Sequence, residues 1–258
     1  MKLQGKVAIV TGSNRGIGRA IVRALAVEGA SCVLCARDQE RLASVEREIR
    51  EAGGEACGVS LDLRAPDTPS QLAEFAVSRY GRIDIVVNNA GATKRGQFLA
   101  LSDDDFVDGF ALKYFAAVRL LRAAWPSLRE AAGSVVNIAG VGGRTPGESF
   151  AIGGSVNAAM LSLTKSLAAA GLNAGIQVNA VNPGPIRTDR LEKRLAELAG
   201  DRNISRESAE RLFIETEQVT RIGEPEDIAN LIVFLVSAEG RFLHGALIDA
   251  DGGATKTI

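Results

Sequence analysis

A chain of 258 residues with 46% hydrophobic content can bury one large core, and 30 Lys+Arg against 31 Asp+Glu leave a net charge of −1 with neither sign in a long block. That balance excludes the electrostatic footprint of a nucleic-acid or membrane-surface binder and points to a small-molecule partner. No apolar run is long enough to span a bilayer, no secretory signal precedes the first apolar run, and three cysteines are too few for a disulfide framework, which together fit a cytoplasmic protein.

The first element is the apolar run KVAIVTG, which ends in Thr11-Gly12-Ser13-Asn14-Arg15-Gly16-Ile17-Gly18 and passes into the helical RAIVRALAVEG. Glycines there let the backbone turn tightly and approach a pyrophosphate, while a helix N-terminus supplies oriented N–H groups and the positive end of a dipole. The second strand, SCVLCAR, carries a C-x-x-C. Cys32 and Cys35, three apart on a strand, point to opposite faces and read as buried small hydrophobes rather than a metal or redox pair. At its end, where an acidic residue would bond a ribose 2′-hydroxyl, stand Ala36 and Arg37.

EACGVSLDL is the third strand, and Thr68-Pro69-Ser70-Gln71 after it predicts a helix with a threonine N-cap, proline at N1 and a capping-box glutamine. IDIVVNNAG is the fourth. Ser102 with Asp105 predicts the next helix start, and capping with helix-dipole compensation accounts for the acids of Ser102-Asp103-Asp104-Asp105 better than a metal cluster does. In DFVDGFALKYF, Tyr114 projects about 100° from Lys113 on a regular helix and so reads as packing. GSVVNIAG, IQVNAVNPG and ALIDADGG complete seven strands alternating with helices. The reading is therefore a single domain over residues 1–258, a Rossmann-like three-layer α/β/α sandwich with a seven-stranded parallel sheet. Residues 188–219 form the least regular stretch, charged and helical. His244, the single histidine, precedes the last strand and reads as structural or subunit-contacting.

The glycine turn has the spacing T-G-x-x-x-G-I-G, which resembles that of the short-chain dehydrogenase/reductase family. Further matches follow in order: Asp62, Asn88-Asn89-Ala90-Gly91, Pro183-Gly184-Pro185-Ile186-Arg187-Thr188, Arg221 to Ala229, and Asp251-Gly252-Gly253. They cover essentially the whole chain. The resemblance implies a dinucleotide held by Gly12, Ser13, Asn14, Arg15, Gly16, Ile17 and Gly18, with its adenine beside Asp62 and Leu63. Asn89, Ala90, Gly91, Pro183, Gly184, Ile186 and Thr188 would complete the cofactor site, and the assembly would be a homo-oligomer, tetramer or dimer. Arg37 and Arg15 offer planar cations to a 2′-phosphate, so NADP(H) is the expected cofactor. No metal is expected.

Members of that family carry an Asn, Ser, Tyr and Lys, with the tyrosine as proton donor and the lysine lowering its pKa. Counting back from Leu163-Thr164-Lys165-Ser166-Leu167, the tyrosine place falls on Gly153, the lysine place on Asn157, the serine place on Gly140 and the asparagine place on Lys113. The only tyrosines, Tyr80 and Tyr114, have no lysine four residues on. Gly153 is expected to leave open the space of the phenol. Asn157 can still hydrogen-bond a ribose hydroxyl. Lys113 is the replacement with acid–base potential, because a desolvated lysine titrates lower; its alternatives are a solvated lysine or an ion pair with Asp108 or Glu148. Glu148 and Ser149, beside the expected cleft, are further candidates.

Three functions follow as expectations. One is an NADP(H)-dependent carbonyl or alkene reductase with nonstandard catalytic residues. Another is a noncatalytic NADP(H)-binding sensor or partner subunit. The third is a non-redox lyase, dehalogenase or isomerase reusing the pocket.

Overall fold

The computed structural model describes residues 1–257. Seven strands form one parallel sheet: β1 (Val7–Thr11), β2 (Ser31–Ala36), β3 (Glu55–Ser60), β4 (Ile85–Asn88), β5 (Ser134–Ile138), β6 (Gln177–Pro183) and β7 (Leu247–Ala250). Their spatial order is β3-β2-β1-β4-β5-β6-β7. β1, β4, β5 and β6 are buried along their whole length, which is why they read as continuous apolar runs rather than alternating ones.

Helices α1 (Gly16–Val27), α2 (Gln39–Glu51) and α9 (Pro225–Val236) cover one face of the sheet around Ile21, Leu25, Leu34 and Ile232. The other face carries α3 (Thr68–Tyr80), α5 (Ala116–Glu130) and α6 (Ala151–Ala174) around Ile9, Leu72, Leu120 and Val178. Cys32 lies in the first core and Cys35 in the second, both free, with burial raising each thiol to about 12, so the opposite-face reading of C-x-x-C holds and neither is a ready thiolate.

Two local details differ from the sequence expectation. The N-cap of α3 is Asp67, not Thr68; the Thr68 hydroxyl is engaged instead with the Asp62 and Ala65 carbonyls, so no side chain caps this helix. The segment around Lys113 is not a regular helix either. α4 (Asp103–Phe110), with the expected Ser102–Asp105 capping box, passes through a π-helical turn at Ala111–Phe115 into α5. π-turns re-aim side chains relative to a continuous α-helix, and this one carries Lys113 at its centre. Tyr114 packs edge-on against Phe110 and Phe115, as packing predicts.

The irregular 188–219 stretch is two helices, α7 (Asp189–Arg202) and α8 (Arg206–Glu217), closed by a small core of Leu191, Leu195, Phe213 and Ile222. Arg187 pins this pair to the body by reaching Glu192, Glu210 and Glu224 at 3.1, 2.7 and 2.9 Å. No described helix is long and apolar enough to cross a membrane.

Candidate active site

Strand order reverses between β1 and β4, and in a parallel sheet the crevice for a ligand opens at the C-terminal ends of the strands beside that point. The cofactor residues expected from sequence lie at that edge, apart from Asn157 on α6. Gly12 to Gly18 follow β1, Arg37 follows β2, Asp62 and Leu63 follow β3, Asn89 to Gly91 follow β4, and Gly184 to Thr188 follow β6.

The glycine turn is built for close backbone approach. Gly12 and Gly16 have φ of +66° and +51°, which side chains rarely adopt. A β-carbon on Gly12 would come within 3.0 Å of Ala90 Cα, and one on Gly18 would run into the Gly12 carbonyl oxygen. Asn89 braces the same turn: its Nδ2 donates to the Thr11 and Gly12 carbonyls at 2.9 and 3.1 Å. Its role is to hold the turn's shape. α1 has neither a capping side chain nor an acid in its first turn, so the leading N–H groups and the dipole remain available to an anion.

Cations ring the adjoining end of β2. Arg15 and Arg41 both approach one carboxylate oxygen of Asp189, at 3.6 and 3.9 Å, while Arg37 lies 3.8 Å from Asp62. A carboxylate thus already stands between two guanidiniums where a phosphate would fit. Arg41 was not singled out by sequence; its signal, a cation one turn into the helix after β2, is weak without the fold.

The four positions singled out as the catalytic places converge. Lys113 Nζ donates to the Ala139 carbonyl at 2.5 Å and to Asn157 Oδ1 at 2.6 Å. It is partly buried and is not paired with Asp108 or Glu148, since Asp108 is bound by Arg64 at 2.5 and 3.0 Å and Glu148 is exposed on a 3₁₀ turn. Burial pulls Lys113 from the ordinary lysine value of 10.5 to about 7, and the nearby charge of Arg190 adds to the effect. Two protein acceptors take two of its three proton positions, leaving the third open.

Asn157 is buried on α6, and its Nδ2 faces Gly140. Gly140 has φ of +123°, so a serine could not stand there without backbone change. Gly153 corrects an expectation: it does not leave open space. A β-carbon on Gly153 would run into the Phe150 ring, and one on Gly142 would meet the same ring at 2.7 Å. Phe150 therefore fills the hollow between these glycines, and the Arg95 guanidinium lies over it, 4.0 Å from the ring centroid. Ser149 is exposed like Glu148, with only its carbonyl engaged, by the Gly96 N–H at 3.1 Å. This segment's contribution to the cleft is Phe150 rather than either predicted candidate.

α7 closes the other wall. Arg190 donates to the Gly91 carbonyl at 2.6 Å, and the Gly91 backbone abuts the aliphatic stem of Lys113. Among the described residues no group of three His, Cys, Asp or Glu is placed to hold a metal. His244 is structural in its contacts: it lies 2.7 Å from the Ala168 carbonyl and accepts from the Val178 N–H at 3.4 Å.

Comparison with known proteins is consistent across the whole length. The family model described as enoyl-(acyl carrier protein) reductase matches residues 12–255. An uncharacterized oxidoreductase of Mycobacterium tuberculosis is 39% identical, covering 98% of this chain and 94% of the relative. The 3-oxoacyl-[acyl-carrier-protein] reductase of Aquifex aeolicus is 32% identical over 98% of each. Among solved structures, L-sorbose reductase from Gluconobacter frateurii, complexed with NADPH and L-sorbose, superposes with a TM-score of 0.95 at 32% identity over 100% of both chains.

Proposed function

The chain belongs to the short-chain dehydrogenase/reductase family, and from that premise we propose that it is an NADP(H)-dependent oxidoreductase acting on a carbonyl or activated alkene, with Lys113 as its proton donor and acceptor. The observation that carries this is the 2.6 Å contact between Lys113 Nζ and Asn157 Oδ1. In the family pattern asparagine stands at the first of these positions and lysine at the second. Here the two side chains have changed places, so an amine is still present in the site although the tyrosine and serine places hold Gly153 and Gly140.

The residues present fit the cofactor. Gly12, Ser13, Asn14, Gly16, Ile17 and Gly18 would hold the pyrophosphate against the uncapped start of α1, and Arg15, Arg37 and Arg41 would take the 2′-phosphate in place of the carboxylates they now approach. Asp62, Leu63, Ala90 and Gly91 would flank the adenosine half, with Asn157 Nδ2 donating to a ribose hydroxyl. Pro183, Gly184, Ile186 and Thr188 would line the nicotinamide, with Asn89 bracing the turn. When bound, NADPH supplies the hydride to the substrate carbon and leaves as NADP⁺.

Lys113 balances that transfer. As an ammonium it uses two protons on Ala139 O and Asn157 Oδ1 and delivers the third to the carbonyl oxygen, which becomes a hydroxyl. Solvent restores the proton. In the reverse direction the neutral amine accepts the hydroxyl proton through its lone pair, and a value of about 7 populates both forms at neutral pH.

Titration of the protein with NADPH and NADH, followed by nucleotide fluorescence, tests the first half; a screen of carbonyl and alkene acceptors followed by loss of NADPH absorbance tests the second. NADPH is expected to bind at micromolar concentration with NADH at least tenfold weaker, and Arg37→Ala to erase about tenfold of that preference. Binding of neither nucleotide would refute the cofactor reading and favour non-redox chemistry. Tight binding with no transfer to any acceptor would make the chain a noncatalytic binder.

A further inference from the structure

Three cations border the substrate side of this cleft without a carboxylate partner: Lys113, Arg190 and Arg95 take part in no ion pair among the described residues. Their neighbours do. Lys94 is held by Asp105 at 2.8 Å, Arg194 by Glu217 at 3.4 Å, and Arg187 by three glutamates. The unpaired three are linked through the site itself. Arg190 is fixed on Gly91, whose backbone lies on the Lys113 stem; Lys113 is bonded to Asn157; and Gly153, one turn before Asn157 on α6, forms with Gly142 the hollow for Phe150, on which Arg95 rests.

The Arg95 guanidinium carbon lies over the Phe150 ring, 4.0 Å from its centroid, so the ring braces this cation at the edge of the cleft. The N–H edge of a guanidinium matches the two oxygens of a carboxylate. Arg95, Arg190 and Lys113 are each held below their ordinary values, burial being the leading cause; Arg194 and then Arg190 add to it at Arg95 while Glu217 opposes, Arg190 adds to it at Lys113, and Arg15 adds to it at Arg190. Like charges close enough to act on one another are a cost to the free protein that an anionic ligand relieves.

We propose that Arg95, braced by Phe150, together with Arg190 binds the carboxylate of the substrate, so that the protein acts on oxo acids rather than on neutral ketones or sugars. This rests on the oxidoreductase reading, since it places the anion beside the proton donor. The carboxylate is taken by the two arginines, and the keto oxygen of the same molecule is left for the third proton of Lys113.

The test uses 2-, 3- and 4-oxo carboxylates, each paired with its methyl ester, titrated calorimetrically into the full-length protein with and without saturating NADPH. The acid is expected to bind about tenfold or more tightly than its ester for at least one chain length, the preference weakening with added salt. Arg95→Gln removes the charge and the guanidinium while keeping a polar side chain, lies on the exposed loop after β4, and should abolish most of the acid preference while leaving NADPH affinity unchanged. Phe150→Leu, which keeps the hollow filled but removes the ring, should reduce the preference in the same direction. Equal binding of acids and esters to the wild type overturns the proposal, as does an acid preference that survives Arg95→Gln. Acid binding that depends on Arg95 while NADPH fails to bind would leave the carboxylate site standing and overturn the cofactor reading alone.

Discussion

Lys113 shows how far one side chain can be read before its surroundings are known. Its identity and place were legible, because the ungapped match at Leu163 to Leu167 fixes the register of α6 and the asparagine place falls in the helix before α5. Its state was not: a lysine in DFVDGFALKYF reads equally as solvated or ion-paired, and only packing shows that its head group turns inward to Ala139 and Asn157. Phe150 was missed outright. The signal that could have found it is the pair of glycines, Gly142 and Gly153, on elements that meet at the start of α6, because a large side chain must occupy what two missing side chains leave. The functional test at this scale is a pH profile. As donor, Lys113 must be protonated, so reductive kcat/KM should be flat below about pH 7 and fall about tenfold per pH unit above it, with oxidation showing the opposite limb. Lys113→Met should remove that limb and lower kcat by about 10²–10⁴-fold. Arg190→Gln removes the cation facing Lys113 and should move the break to higher pH; an unmoved break would show that Lys113 is not the titrating group. Stability carries the same signature. Between about 7 and 10.5 the unfolded chain holds a proton on Lys113 that the folded chain does not, so this group makes stability rise with pH in that window. The difference in Tm between wild type and Lys113→Met should therefore grow in favour of wild type from pH 7 to 10.

Among the elements, strands were the most legible and the helix ends the least. A parallel sheet covered on both faces demands apolar runs such as VAIVT and SCVLCA, and nothing else in the chain competes for them. The α3 start slipped by one residue because Thr68 has two uses for its hydroxyl, capping or bonding the preceding loop, and the loop wins with a 2.6 Å bond to Asp62 O. The π-turn at Ala111–Phe115 left no trace in the hydrophobic pattern, since one turn of altered winding does not disturb the apolar faces on either side. The glycine turn is the element whose shape is most tightly specified. Gly18→Ala places a methyl group against the Gly12 carbonyl and 2.5 Å from Asn89 Nδ2. Neither neighbour can yield without opening the turn, so the substitution should cost about 1–3 kcal/mol in denaturant unfolding and weaken NADPH binding at least tenfold. Unchanged affinity would mean that the turn does not hold the nucleotide.

For the molecule as a whole, the seven-stranded parallel sheet was legible in the sequence, and what it withheld was how the outer surface is arranged. Besides Met1, Val27, Val77 and Phe234, the exposed large apolar side chains fall on two stretches of the fold. Phe98, Leu99, Val107 and Phe115, between 45% and 95% exposed, lie on the turn before α4, on α4 itself and on the π-turn, while Leu172 at 72% and Phe242 at 101% lie near the end of α6 and before β7. Isolated exposed hydrophobes are ordinary, but rows of large ones on adjoining elements mark surfaces that another protein covers. Two such regions on one chain allow two different isologous contacts, and two perpendicular two-fold axes close a tetramer. The expected outcome in size-exclusion chromatography with light scattering is four chains per particle. Phe242→Asp introduces an uncompensated charge at the second region only and should halve the mass to a dimer, because the first region is untouched. Leu99→Asp should do the same from the other side, and the double substitution should give monomers. Thermal stability should fall with each step, since assembly stabilises the folded chain by mass action. A wild-type particle of one chain would refute this arrangement, and a tetramer indifferent to both substitutions would show that other surfaces build it.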